Sequence, residues 1–289
     1  MKILVVGSKG MLGHDLVTSL ETIGAVTGID IEECDITSEV RCRQTVERVA
    51  PDWIVNAAAY TAVDACETHR DDAMAVNGIG PGNLARAAQR TGARLLHVST
   101  DYVFDGFKTT PYLELDPVSP QTVYGQSKLL GEHHVMEILP EDSLVVRTSW
   151  LFGVHGRNFV ETIIGLAADG KPLRVVGDQQ GSPTYSADLA WAIGRCITSG
   201  CRGIVHVANS GATTWYSFAK YVINKIFPGI PVEPVTTEAF PRPARRPLYS
   251  VLSTDRLTSI LGVSMPGWQN AVDRYLAVKY PGMIEEKTE

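Results

Sequence analysis

The chain predicts an α/β fold: a doubly wound parallel sheet followed by a smaller C-terminal α/β unit. Three observations carry this. A short apolar strand, residues 2–6, runs straight into the turn Gly7-Ser8-Lys9-Gly10-Met11-Leu12-Gly13 and then into an amphipathic helix ending near Leu20. Strands and helices alternate from there on, with lengths that suit parallel pairing and right-handed crossovers. Gly7, Asp30, Asn56 and Thr100 all fall at strand carboxyl ends, where ligands bind in such sheets.

Taken in order, residues 2–6 are apolar on both faces, as in a buried parallel strand. Gly7, Gly10 and Gly13 permit a tight turn and let a pyrophosphate approach backbone N–H groups at a helix N-terminus. A second strand, 25–29, ends at Asp30, where an acid hydrogen-bonds an adenosine 2′-hydroxyl and repels a 2′-phosphate. Lys9 in the glycine loop pulls the other way by attracting that phosphate, so NADH and NADPH both stay open. Asp35-Ile36 follows the next turn, where such folds touch an adenine; the alternative for Asp35 is a plain acid at a helix start. A helix over 38–50 leads to strand 53–55 and to Asn56-Ala57-Ala58-Ala59-Tyr60-Thr61, whose small residues let a cofactor pass close to the backbone. Asn77 lies on the next helix, and 94–99 is a fourth strand. A loop with Pro111, Pro117 and Pro120 precedes the helix bearing Tyr124 and Lys128, and 143–148 is the following strand.

After Trp150 the pattern changes to helix 158–168, loop 178–184, helix 187–198, strand 203–207 and helix 214–227. The expected division is residues 1–150, joined by about 184–207, against mainly 151–289. The segment Pro241-Arg242-Pro243-Ala244-Arg245-Arg246-Pro247 is too proline-rich for regular structure. Its arginines suit a bound diphosphate, or else pin the loop to surface acids.

The reactive group is expected at Tyr124 and Lys128, which sit four apart and therefore share a helix face. A phenol with a pKa of about 10 relays protons poorly at neutral pH, and a nearby ammonium favours its phenolate. With the Thr100 hydroxyl sharing a substrate oxygen, the set suits proton delivery to a carbonyl that receives hydride.

A formal net charge of −6 over 289 residues argues against nucleic acid or an anionic membrane as partner. The N-terminal apolar run is too short to span a membrane and lacks a cleavage site, so a soluble cytoplasmic protein is expected. The five cysteines form no Cys-x-x-Cys pair and read as buried, idle thiols; the seven histidines form no ligand cluster, and no metal is expected. His97, inside an apolar strand, and the adjacent His133-His134 read as structural.

With these residues in place the chain resembles the extended short-chain dehydrogenase/reductases, a Rossmann-like family. Ser99-Thr100 with Tyr124-x-x-x-Lys128 matches its catalytic group, and the Gly7 to Gly13 turn matches its glycine loop. Within that family it is similar, over nearly its whole length, to the dTDP-4-dehydrorhamnose reductase subfamily. The matching stretches are Val55-Asn56-Ala57-Ala58-Ala59, Ser99-Thr100-Asp101-Tyr102-Val103-Phe104 and Val123-Tyr124-Gly125. Arg147-Thr148-Ser149-Trp150, Thr213-Thr214-Trp215-Tyr216 and Arg242-Pro243-Ala244-Arg245-Arg246-Pro247 continue the match. The resemblance implies NAD(P)H-dependent reduction of the C4 ketone of a nucleotide sugar, dTDP-4-dehydro-L-rhamnose. It makes Tyr124 the proton donor, has Lys128 lower its pKa and hold the nicotinamide ribose, and puts Thr100 on the sugar oxygen. Asp101 and Trp150 would contact the sugar, and Gly10, Met11, Leu12, Asp30, Asp35, Ile36, Ala59, Tyr60 and Thr61 would line the dinucleotide.

Some relatives dimerise through Mg2+ held by acids on the first and a later helix. Asp15 occupies the first position, but the second falls at or near Ala187-Asp188, so a metal bridge is not expected and the protein reads as a monomer or homodimer. Related dehydratases need an acid where Tyr102 stands. Another sugar, an epimerase, or a non-enzymatic NAD(P)-binding regulatory subunit are the competing readings; Trp150 favours the enzyme over the subunit.

Overall fold

The computed structural model describes residues 1–283. Its centre is a six-stranded sheet in the order Ala25–Ile29, Lys2–Val6, Trp53–Asn56, Arg94–Thr100, Ser143–Thr148, Gly203–His206. Every pairing in it is parallel. The chain leaves Lys2–Val6 toward one edge and then returns to its other side, and this reversal opens a crevice at the carboxyl ends of the strands.

Alternation along each strand sorts side chains between the two faces. Ile3 and Val5 pack with Leu12, Leu16 and Leu20 of helix Met11–Leu20 and with Leu189 and Ile193 of helix Ser186–Thr198. Leu4 and Val6 pack on the other face with Val46, Leu84, Ala88 and Val135, from helices Glu39–Val49, Gly80–Thr91 and Val123–Ile138. Leu257 and Leu261 of helix Asp255–Leu261 also enter the first core, although they lie late in the chain.

A second core joins helices Phe159–Ala168, Trp215–Ile226 and Trp268–Lys279 through Phe152, Ile163, Phe218, Val222, Trp268 and Tyr275. Leu173–Val176 and Val232–Val235 pair in parallel beside it. Neither strand was anticipated, because each is short and Pro234 breaks the second one's pattern; a two-stranded ribbon tolerates the missing donor. Arg274 of the last long helix grips Asp188 at 2.8 and 2.6 Å, tying this core to helix Ser186–Thr198. Asn209 donates to the same carboxylate at 2.6 Å, so that acid is already engaged.

All five cysteines are buried and unbridged. Among the described residues no helix is long and apolar enough to cross a membrane, and no group of three or more His, Cys, Asp or Glu is placed to hold a metal.

Candidate active site

The glycine turn is fixed by steric need. Gly7 has φ of +81°, and a Cβ there would lie 2.7 Å from the Ala58 nitrogen. A Cβ on Gly13 would collide with the Gly7 carbonyl oxygen. The loop therefore closes directly onto the Ala57-Ala58 backbone. Helix Met11–Leu20 then starts with no side-chain cap and no acid in its first turn. Its first N–H groups and the positive end of its dipole are left for an anion.

Asp30 closes the rim. One carboxylate oxygen accepts the Lys9 N–H and the other the Ile31 N–H, both at 2.9 Å. The Lys9 ammonium reaches Glu32 at 2.9 Å, and that hydrogen bond raises its pKa. Lys9 is thus flanked by acids rather than standing alone.

The helix Val123–Ile138 is started twice over. Thr122 Oγ1 accepts the Gly125 N–H at 3.0 Å, and Glu67 Oε1 accepts the Val123 N–H at 3.0 Å. Asn77 ties this helix to the loop after the third strand: Oδ1 accepts the Tyr60 N–H at 2.8 Å, while Nδ2 donates to Tyr60 O and Ser127 Oγ, both at 3.0 Å. Tyr124 and Lys128 consequently face the end of strand Arg94–Thr100.

One cleft of about 790 Å³ collects most of the residues expected from sequence. Gly7, Gly10, Met11, Leu12, Gly13, Asp30, Asp35, Ile36, Ala59 and Thr61 line it together with Thr100, Asp101, Tyr124, Lys128 and Trp150. Tyr60 is not among the lining residues; its side chain packs against the cluster of Cys66, Ala73 and Val123. Arg245 and Arg246 line a separate small pocket that shares only Tyr102 with the cleft. Arg246 pairs with Asp64 at 3.0 Å, and the Arg245 guanidinium lies 5.0 Å from the Phe107 ring centre.

Burial governs the electrostatics here. It pushes the Tyr124 phenol upward, opposed by the Thr100 hydroxyl, which favours the phenolate. The expected pull of Lys128 toward neutral pH is therefore not what the structure displays. The lysine nitrogen is turned to Val98 O at 2.7 Å and His97 Nε2 at 3.2 Å, and its own burial lowers it to about 8. Burial likewise raises Asp101 to about 6, against hydrogen bonds such as the 2.9 Å one from Thr100.

Trp150 adopts φ of +47°, a left-handed conformation uncommon outside glycine that costs about 1–3 kcal/mol. Its indole stacks on Trp215 at 3.5 Å and 5°. The stack holds Trp150 at the cleft wall. The sequence did not single out Trp215, which braces Trp150 without itself lining the cleft, or Arg157, which lines the cleft from the loop after Phe152. A tryptophan opening a helix and an arginine in a loop carry no local signal of either role.

Comparison with known proteins agrees with this architecture. A family model described as the RmlD substrate binding domain matches residues 1–280. A dTDP-4-dehydrorhamnose reductase of Burkholderia thailandensis is 40% identical, covering 94% of this chain and 97% of that one. A dTDP-4-keto-6-deoxy-D-glucose reductase of Streptomyces niveus is 39% identical over 87% of this chain and 88% of its own. The crystal structure of a Bacillus anthracis dTDP-4-dehydrorhamnose reductase in complex with NADP superposes with a TM-score of 0.93. That protein is 38% identical and covers 96% of this chain and 99% of its own.

Proposed function

The chain belongs to the RmlD substrate binding domain family, and we propose on that footing that it reduces the C4 ketone of dTDP-4-dehydro-L-rhamnose to dTDP-L-rhamnose. It is an NAD(P)-dependent oxidoreductase of dTDP-rhamnose biosynthesis. One observation carries the reading most directly: Tyr124, Thr100 and Lys128 line the same cleft as the glycine turn.

The residues present fit a dinucleotide. The Gly7 to Gly13 turn has no room for side chains and offers an uncapped helix start, which suits a pyrophosphate. Asp30 would take a ribose hydroxyl, with Asp35, Ile36, Ala59 and Thr61 beside the adenosine half. When bound, the nicotinamide supplies the hydride. Asp30, Glu32 and Glu33 around Lys9 weigh against a 2′-phosphate, and Lys9 weighs for it, so both NADH and NADPH are taken as cofactors.

Tyr124 is the proton donor in this reading. A raised pKa keeps it a neutral phenol until charge develops on the substrate oxygen, which is far more basic than a phenolate. Thr100 then donates to the same oxygen, Lys128 supports the phenolate left behind, and Asp101 and Trp150 orient the sugar. Arg245 and Arg246 stand beyond Tyr102, where a diphosphate tail leaving the cleft could reach them. The protein acts on a small nucleotide sugar, as monomer or homodimer.

The test is loss of reduced-nicotinamide absorbance with dTDP-4-dehydro-L-rhamnose generated in the same tube by the upstream enzymes. Oxidation that stops when the upstream epimerase is left out supports both chemistry and substrate. Bound cofactor without turnover would move the reading to another sugar or to a regulatory role.

A further inference from the structure

The loop of residues 153–158 is docked on the start of the first helix, and three contacts hold it there. A Cβ on Gly153 would meet Met11 Cγ at 3.1 Å, and one on Gly156 would meet Met11 Cβ at 3.6 Å. The His155 ring stacks on His14, with centroids 4.5 Å apart and planes at 27°. Met11 and His14 stand three residues apart and share one face of helix Met11–Leu20. The loop is also closed on itself. Asn158 Nδ2 donates to Gly153 O at 2.8 Å, while Asn158 Oδ1 accepts the Glu161 N–H at 3.2 Å and caps the next helix. Gly156 makes the last bend with φ of +78°, and Arg157 follows it and lines the cleft. The helix on which this loop rests is the one whose first N–H groups, from Met11 on, no earlier turn can accept.

Among the described residues three cations line the cleft: Lys9, Lys128 and Arg157. Lys9 is held by Glu32 at 2.9 Å and Glu33 at 3.9 Å. Lys128 is buried, with its nitrogen on Val98 O at 2.7 Å. Arg157 is exposed and makes neither an ion pair nor a side-chain hydrogen bond within the described residues. The acids that line the cleft have other partners. Asp30 accepts the Lys9 and Ile31 N–H groups, Asp35 accepts from Thr37, and Asp101 accepts from Thr100. An anion entering the cleft thus meets one cation that is uncommitted.

We propose, resting on the functional reading above for the identity of the ligand, that Arg157 is a cofactor-binding residue. Its guanidinium pairs with the pyrophosphate of the bound dinucleotide, which is then held both by the first N–H groups of helix Met11–Leu20 and by an arginine delivered from the loop docked on that helix. A guanidinium presents paired N–H donors at a spacing that suits two phosphate oxygens. The nucleotide sugar carries a diphosphate as well, and the docking of the loop decides between the two. Its contacts are to Met11 and His14, on the helix that receives the cofactor, whereas Arg245 and Arg246 stand in the other pocket with Tyr102. A 2′-phosphate belongs beside Asp30, whose basic neighbour is Lys9.

The test is direct binding, without turnover. NADH, NADPH, ADP-ribose and dTDP are each titrated by calorimetry into the parent protein and into Arg157→Gln. The substitution removes an exposed side chain with no partner in the fold, so the variant should fold as the parent does. Its Kd for NADH should rise about tenfold, the low end for losing a hydrogen bond to a charged group. NADPH and ADP-ribose contain the same pyrophosphate and should lose the same factor, while the Kd for dTDP should stay within about twofold. The parent's Kd for NADH should also climb more steeply with ionic strength than the variant's, because the parent alone keeps the ion pair. An unchanged Kd for NADH, or equal salt slopes, overturns the proposal. A loss confined to NADPH would put Arg157 on the 2′-phosphate, and a loss for dTDP as large as that for NADH would put it on the sugar's diphosphate or on the cleft as a whole; either result overturns it too. A parent that binds NADH but does not reduce the sugar would sink the functional reading alone, since the ratio of the two NADH constants is read without turnover.

Discussion

At the scale of single residues, Tyr124 is where chemistry and burial meet. Burial raises the pKa of its phenol, so it holds its proton tightly until an alkoxide-like oxygen forms beside it. Tyr124→Phe removes the donor and leaves the ring packing, and kcat should fall by about two to four orders of magnitude. Cofactor affinity, followed by fluorescence titration, should stay near that of the parent; a kcat within tenfold would remove Tyr124 from this role. Asp30 is argued in the same way. Its carboxylate receives two backbone N–H groups and sits beside Lys9 at the rim. Asp30→Ala removes repulsion toward a 2′-phosphate, so the ratio of kcat/KM for NADPH over NADH should rise. A constant ratio would mean that Asp30 does not face the ribose.

At the scale of elements, the helix Val123–Ile138 owes its position to polar groups on a single face. Tyr124, Lys128 and Glu132 stand one turn apart; Lys128 and Glu132 are buried against the sheet, and Tyr124 lines the cleft. Only the first two were legible as a pair in the sequence. Glu132 looked like any helical acid, because its partners Ser99 and Arg147 are 33 and 15 residues away. Arg147 is almost fully buried, and its guanidinium also lies 5.1 Å from the Phe104 ring centre. Removing one member of such a pair strands a buried charge. Arg147→Met should lower the unfolding free energy by about 3–5 kcal/mol. Urea denaturation measures this, and a loss under about 1 kcal/mol would show the network to be dispensable.

At the scale of the whole molecule, the sheet buries groups whose titration links pH to stability. His206, on the sixth strand, is pushed down to about 3 by burial and by Arg147, from an ordinary 6.5. Between those values the unfolded chain binds a proton that the folded one refuses. Stability from this group is therefore complete above about 6.5 and is lost as pH falls toward about 3. Asp101 acts in the opposite sense: its raised pKa means that the folded state takes up a proton first as pH falls through about 6, which offsets part of that loss. His206→Leu should flatten the acid-side decline of Tm relative to the parent protein. Parallel Tm-against-pH curves for the two would refute that linkage.

The sequence by itself determined the doubly wound sheet, the glycine turn and the Tyr124/Lys128 pair, because each is written in residues close along the chain. Short continuous apolar strands, glycines between strand and helix, and two side chains one helical turn apart are local signals. They also placed Asp30, Thr100 and Asp101 at strand ends, which the topology then turned toward one cleft. Only the tertiary structure decided the rest. It set Trp215 behind Trp150, withdrew Arg245 and Arg246 to a separate pocket, and brought helix Asp255–Leu261 back to the first core. It also set the Lys128 ammonium against Val98 O and His97. Those outcomes depend on burial and on partners distant in sequence. A side chain's charge and direction follow from what surrounds it, and no run of neighbouring residues states that.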